Sequence, residues 1–443
     1  MPPIGQREVT ANGLTMPNGL GDEQDDIKNW RALDQMISGT HPTVQLRSNL
    51  NPGSVVTSPY GSRKSGRSAF QARVAPSSRA AANSTIALAI SQAGGFRAFR
   101  LVVRNANTTV PLNITAKAGV SATATPSGSG ISPVNVTWGR DNAGALITSK
   151  TVPVGSTANM IGGQAASGVA VSDWIGLESI ARTDVVGADP ILYLRIASPD
   201  GLLYDPIDWT AALPVSTGRV LRSSFASGVD NVASWATAMA LSAANSNILP
   251  DVCVEFLSGG RTASVAVFAD SLAAGGASPT VNYILATQAK LATAGVTAGI
   301  GMYAVGGQRR QTTSANLQAV VALQKPDFVV MHDYSVNSAA APAIAANEQW
   351  TYLCNDIAAV VANGGIPIIV TMHTNDTYAA RTRAAFGGIY PIVDMAALLS
   401  NGAGGIQDQY CADPVSDRTH ISALACDVVG TALSDVLVSL IPA

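Results

Sequence analysis

Among the residue types able to carry acid–base chemistry, histidine is the scarcest here: the 443-residue chain has His41, His332, His373 and His420. Hydrolysis by a serine nucleophile at neutral pH needs a base titrating near about pH 7, and imidazole is the usual one. His41 stands in a polar N-terminal leader and is a poor candidate. His420 lies in DPVSDRTHISALACDVV, three residues after Asp417. A D-x-x-H turn entering a helix sets carboxylate and imidazole side by side, where the carboxylate orients the ring and stabilises its cation. A nucleophile for this pair is offered by SVAVFADSLAAGG, where a run of Val, Ala and Phe stops at Asp270-Ser271 and small residues follow. Locally the stretch reads as a strand presenting Ser271 at its tip or as a polar turn closing a buried strand.

The elements that would hold these residues alternate strikingly little in composition but clearly in period. TASVAVFA, VTAGIGMYA, PDFVVMHDY and IPIIVTMH read as buried strands, and the segments between them read as helices, with a last helix in ISALACDVVGTALSDVLVSLI. Apolar strands alternating with helices predict a parallel sheet covered on both faces, with ligands at the carboxyl ends of its strands. Upstream, FRAFRLVVRN, VPLNITAKAG, VNVTWGR and PILYLRIASP are short β-type runs separated by Gly, Ser, Asn and Pro, the pattern of an antiparallel β-sandwich. The expected division is an N-terminal arm at 1–75, a β-sandwich with a bridging segment at 76–255, and an α/β unit at 256–443. Within the bridge, NVASWATAMALSAAN predicts a helix.

Taken together, these pieces resemble the SGNH (GDSL-type) serine hydrolase family. Its first block, a strand ending in G-D-S-L, is similar to FADSL, and its last, D-x-x-H before a C-terminal helix, is matched by Asp417 and His420. Its glycine block resembles AVGGQR, and its asparagine block, usually G-x-N-D, resembles SVNS. The resemblance implies a three-layer, flavodoxin-like α/β domain and an esterase that needs no metal or cofactor. It implies Ser271 as nucleophile, His420 as base, Asp417 as the orienting carboxylate, and an oxyanion hole of the Ser271 N–H, the Gly307 N–H and the Asn337 amide. His332, and His373 with Asp376, fall at the ends of the next two strands, where each either lines a substrate pocket or serves the fold. Trp174 in the β region reads as core or as a sugar platform. The chain departs from the pattern at Ala269, Ser335 and Ser338, and has Met302 and Tyr303 where an asparagine is usual. Those departures motivate a competing reading, a structural or glycan-binding attachment protein with a catalytically degenerate hydrolase domain.

Composition narrows the partners. Hydrophobic residues are 47% and charged ones 13%, a balance for buried cores rather than disorder. A net charge of −2 offers no footprint for nucleic acid. Cys253, Cys354, Cys411 and Cys426 are widely spaced without a C-x-x-C pair, so zinc is not expected, while disulfides and free thiols both remain open. No apolar run reaches a membrane-spanning length of about 18 residues, and no secretory signal pattern is seen. The expected substrate is an O-acyl, chiefly acetyl, ester on a carbohydrate. The expected setting is a virion component, such as a phage tail protein, or an extracellular enzyme, assembled as a homo-oligomer or larger complex through the N-terminal arm.

Overall fold

Strands apolar along their whole length must be covered on both faces, and in the computed structural model they lie at the centre of a five-stranded parallel sheet. The strands are β1 (Thr262–Phe268), β2 (Thr297–Met302), β3 (Phe328–His332), β4 (Ile366–Val370) and β5 (Ile392–Val393), in the order β2-β1-β3-β4-β5. Every residue of β1 and β3 is buried. Helices α1 (Ser271–Ala274), α2 (Tyr283–Thr293), α3 (Arg310–Gln324), α4 (Ala346–Ala362), α5 (Asp376–Phe386) and α6 (Met395–Leu399) follow in alternation, and α7 (Ala423–Leu440) closes the chain. Side chains of Asn282, Asn375, Asp394 and Ser422 cap α2, α5, α6 and α7, which fixes where the chain turns from loop into helix. The structure describes residues 67–441 apart from 72–77, 80–82, 92–95, 106, 122–130, 157–167, 181–190, 201–202, 206–218, 227, 240–248, 251, 258–260, 276–281 and 341. The expected N-terminal arm, His41 included, lies outside the described residues up to position 66. Arg67–Gln71 is a strand paired with Val252–Leu257, so this part of the expected arm belongs to a sheet.

Helix α7 is long and apolar enough to cross a membrane by composition, yet it buries Ala425, Cys426, Val429, Gly430, Leu433 and Leu437 within the core. It meets α2 at Gly430, where a Cβ would stand 2.6 Å from the Ala286 methyl and 2.8 Å from the Tyr283 carbonyl oxygen. Only a glycine allows that approach. Cys354, Cys411 and Cys426 are free thiols.

Upstream, two antiparallel sheets enclose one core. Strand Ala98–Asn105 contributes Phe99, Leu101 and Val103 to it, facing Ile86, Leu88 and Ile90 of Ser84–Ser91 and Leu192, Leu194 and Ile196 of Ile191–Ser198. Alternation in FRAFRLVVRN predicts a wet second face, but that face is also covered. Val102 joins the core of the parallel sheet, and the Arg104 guanidinium lies 5.3 Å from the centre of the Tyr303 ring. Glu255, on Val252–Leu257, is fully buried at this junction and pairs with Arg100. It also accepts from Ser264 Oγ on β1 and Gln324 Nε2 at the end of α3, both at 3.1 Å. Trp174 is neither core nor bare platform: it is 38% exposed, and Arg100 covers its ring at 4.7 Å.

The helix expected in NVASWATAMALSAAN is absent over 231–239, where the chain makes successive turns, and 240–248 lies outside the described residues. The cause is the buried Arg195, which donates to the carbonyls of Asn231, Trp235 and Thr237 at 2.8–3.0 Å. A helix would need its carbonyls for its own amides four residues on.

Asp333, buried at the end of β3, accepts from the Met372 N–H at 3.0 Å and the Thr382 hydroxyl at 2.8 Å, tying β3 to the loop after β4 and to α5. Burial pushes its carboxyl up to about 6, against the pull of those donors and of His332 and Arg310. Between the unfolded value near 4 and about 6, the native state holds this proton more tightly, so this group's stabilisation is present at low pH and is lost as pH rises through 6. Wild type minus Asp333→Asn stability, from urea midpoints at pH 4.5 and 7.5, is expected to fall with rising pH by about 2 kcal/mol. A difference that stays level would refute the raised carboxyl. Glu255→Ala is expected to destabilise the protein toward the lower end of roughly 3–5 kcal/mol, since it strands a partly exposed Arg100; a urea midpoint within error of wild type would contradict the buried junction.

Candidate active site

Strand β1 ends in a core alanine, a buried carboxylate and then Ser271. Asp270 accepts from the Leu272 N–H through Oδ1 at 3.2 Å, while its carbonyl accepts from the Ala273 and Ala274 amides at 3.2 and 3.1 Å. Asp270 thereby accepts the amides of Leu272, Ala273 and Ala274, and among the described residues the Ser271 N–H meets no protein acceptor. The turn is only four residues long, so a helix-dipole contribution of the kind a full helix makes is not available here. Ser271 Oγ lies 3.0 Å from His420 Nε2, and His420 Nδ1 lies 2.7 Å from Asp417 Oδ2. A neutral ring that donates Nδ1–H to Asp417 presents Nε2 as acceptor for the serine hydroxyl. The three residues expected from sequence are brought into one hydrogen-bonded line.

Asp417 and His420 are not on a simple turn before a helix. They belong to the second strand of a hairpin, β6 (Cys411–Asp413) and β7 (Asp417–Ile421), that precedes α7. Asp417 Oδ1 accepts the amides of Thr419 and His420 at 3.1 and 3.0 Å, which clamps the carboxylate beside the ring. Burial pushes the Asp417 carboxyl up, but these amides and the His420 ring outweigh it and hold it below the usual range.

Gly307 and Asn337 follow β2 and β3, the two neighbours of β1, so both stand at the same carboxyl edge as Ser271. The amides of Tyr303 and Val305 continue beyond β2 to donate to Val267 and Ala269 at 2.8 and 3.2 Å, holding the glycine turn against the end of β1. Gly307 has φ +74°, a left-handed conformation, and a Cβ there would meet nothing, so backbone geometry and not space calls for glycine. Asn337 Nδ2 donates to the Gln308 carbonyl at 3.2 Å, fixing the side chain beside the glycine turn.

Three of the departures, Ala269, Ser335 and Ser338, have a structural place here. Ala269 is 1% exposed, packs in the core of the sheet and has no left-handed backbone, so its methyl is accommodated. Ser335 Oγ lies 2.8 Å from Asp270 Oδ2 and 3.1 Å from the Gln308 carbonyl, bridging the nucleophile's turn and the glycine turn. Ser338 Oγ accepts the Arg310 N–H at 2.9 Å, capping α3, whose own N-cap residue Arg309 supplies no side-chain bond.

The expected pocket residues are placed differently. His332 is 2% exposed, lies beneath the serine turn and lines no open surface. Its Nδ1 stands 3.4 Å from Asp270 Oδ1 and its Nε2 2.7 Å from the Tyr283 hydroxyl, a partnership that sequence reasoning missed. His373 is buried against the backbone of Arg418 and Thr419, behind the strand that carries His420, and its ring nitrogens make no hydrogen bond of ordinary geometry. Burial holds its ring below the usual histidine range. Asp376 is exposed on the first turn of α5 beside the Gly404 loop, and no contact joins it to Ser271 or His420.

No protein-family model matches the chain, and no curated protein matches it. Among solved structures it is similar to a lipase/acylhydrolase from Enterococcus faecalis, at 17% identity and TM-score 0.34 over 40% of this chain and 97% of that one. It is similar to a GDSL-like lipase from Bacteroides thetaiotaomicron, at 13% identity and TM-score 0.32 over 39% and 87%. An acetyl xylan esterase, AlAXEase, is similar at 18% identity and TM-score 0.33 over 39% and 99%. The chain thus resembles GDSL-type lipolytic hydrolases and acetyl xylan esterases over about two fifths of its length.

Proposed function

We propose that this protein is a serine carboxylic ester hydrolase of the SGNH type that removes acyl groups, chiefly acetyl, from a carbohydrate. The observation that carries the reading is the continuous line Ser271 Oγ–His420 Nε2 at 3.0 Å and His420 Nδ1–Asp417 Oδ2 at 2.7 Å. Ser271 Oγ attacks the ester carbonyl carbon as its proton passes to His420 Nε2. The carbonyl oxygen takes up the negative charge facing the Ser271 and Gly307 amides and the Asn337 side chain, donors worth roughly 2.7–4 kcal/mol each in acyl-transfer sites. Collapse expels the alkoxide, which takes the proton from His420. Water then attacks the acyl carbon as its proton passes to His420, and collapse breaks the bond to Ser271 Oγ, which takes that proton back from His420 as the acid leaves. Asp417 stays ionised throughout, holding the ring's tautomer and favouring its cationic form.

The carbohydrate assignment draws on the antiparallel sheets, read as a sandwich module beside the hydrolase unit. The setting as a virion component or extracellular protein rests on the polar leader and belongs to the proposal, as does assembly through it. The competing reading, an attachment protein with a degenerate hydrolase unit, has no observation in its favour once Ala269, Ser335 and Ser338 are given the contacts described above.

Ser271→Ala is expected to abolish release of p-nitrophenol from p-nitrophenyl acetate and of acetate from acetylated xylan. His420→Ala should lower kcat by about 10⁴-fold or more, and Asp417→Asn by roughly 10²- to 10⁴-fold. The smaller loss is assigned to Asp417 because its side chain is 35% exposed, so water can take over part of its role. Turnover by Ser271→Ala at the wild-type rate would end the reading, and a wild-type protein inactive on both esters would favour the attachment protein.

A further inference from the structure

Beneath the proposed catalytic line runs a second chain of polar groups, wholly buried, that the reaction itself does not use. Tyr283, at 0% exposed, places its hydroxyl 2.7 Å from His332 Nε2. His332 Nδ1 faces Asp270 Oδ1 at 3.4 Å, and Ser335 Oγ meets Asp270 Oδ2 at 2.8 Å. The four residues come from the start of α2, the end of β3, the end of β1 and the loop after β3. Asp270 is directly bonded to Ser271 and caps its turn, and Ser335 also reaches the Gln308 carbonyl next to Gly307.

Burying a carboxylate is costly unless donors surround it. Burial pushes the Asp270 carboxyl up, but His332, the Ser335 hydroxyl and the Leu272 amide overturn that and hold it below the usual range, so it stays an anion. Burial and the Asp270 charge push the Tyr283 phenol well above its ordinary value, so it keeps its proton. A phenol that keeps its proton donates it to Nε2, and a ring that accepts at Nε2 carries its hydrogen on Nδ1, toward Asp270. Tyr283 thereby selects the tautomer that turns the Nδ1–H of His332 toward the carboxylate, a 3.4 Å contact without ordinary hydrogen-bond geometry, and Gly430 sets the distance at which α2 can deliver that tyrosine.

Resting on the serine-esterase reading, we infer that Tyr283, His332, Asp270 and Ser335 form a positioning unit that sets the turn of Ser271 and the turn of Gly307 relative to each other. None of the four touches substrate in this role; each acts through Asp270. Ser335 is therefore a gain and not a loss at its position, its hydroxyl adding a side-chain tie to the backbone bonds that already hold the glycine turn against the end of β1.

The test is steady-state kinetics on p-nitrophenyl acetate with Tyr283→Phe, Ser335→Ala, His332→Ala and His332→Asn, beside Ser271→Ala, with thermal unfolding of each. Tyr283→Phe and Ser335→Ala keep the shape of the core while removing one hydroxyl. Each is expected to lower kcat roughly 10- to 100-fold with KM within about twofold, since small misplacement of reacting groups costs on that scale. His332→Asn, whose amide nitrogen can stand where Nδ1 donates, should keep more of kcat than His332→Ala. Folded Tyr283→Phe and Ser335→Ala proteins with wild-type kcat, while Ser271→Ala is inactive, would overturn the positioning role and leave the esterase reading intact. A rise in KM at constant kcat would overturn it too. Full turnover by Ser271→Ala would instead remove the esterase reading, and the positioning role with it.

Discussion

An anion buried one residue before the serine is the constraint around which this site is arranged. Asp270 cannot be stranded, because a carboxylate without donors in a dry interior is far costlier than any single contact here is worth. Its partners come from different elements: an amide of its own turn and a hydroxyl in the loop after β3 donate to it, and a histidine ring on β3 faces it at 3.4 Å. Satisfying one charge therefore forces the ends of β1 and β3 into a fixed relation. The glycine turn after β2 is drawn in through Gln308, whose carbonyl is within reach of Ser335 and Asn337. Order at the edge of the sheet follows from solvation as much as from packing.

The His420 side of the site is built on different physics. Its hairpin is half exposed, and its precision comes from local hydrogen bonds, with one Asp417 oxygen on two amides and the other on the ring. Behind it stands His373, a buried ring set against the backbone of Arg418 and Thr419. A buried half thus carries Ser271, and a locally clamped surface half carries His420.

Legibility from sequence followed the range of the interactions. Ser271, Asp417 and His420 were readable because histidines are few and because D-x-x-H is a short-range device. The parallel strands were readable because burial on both faces leaves uninterrupted apolar runs. Position at a strand end does not say whether a side chain points outward or inward, so the sequence left His332 between a pocket and a role in the fold, and the structure buries it. Glu255 gave no signal at all, since its partners Arg100, Ser264 and Gln324 lie 155, 9 and 69 residues away. The segment from Asn231 has helical composition, but its carbonyls belong to Arg195 on a distant strand. Tertiary demand overrode local preference there.

Strand Ala98–Asn105 has no solvent face, one side belonging to the antiparallel core and the other to the parallel sheet. A hinge needs a place where few contacts are lost on bending, and this boundary offers none. Turning one part against the other would slide Val102 off its neighbours and pull Glu255 from Ser264, so these contacts oppose rotation at this boundary. Ser271 then keeps a fixed bearing to every surface the antiparallel sheets present, as a blade keeps its angle to its handle. Under the proposed esterase reading, the outline of the whole molecule, antiparallel sheets included, would choose which bonds of a bulky ester come within reach.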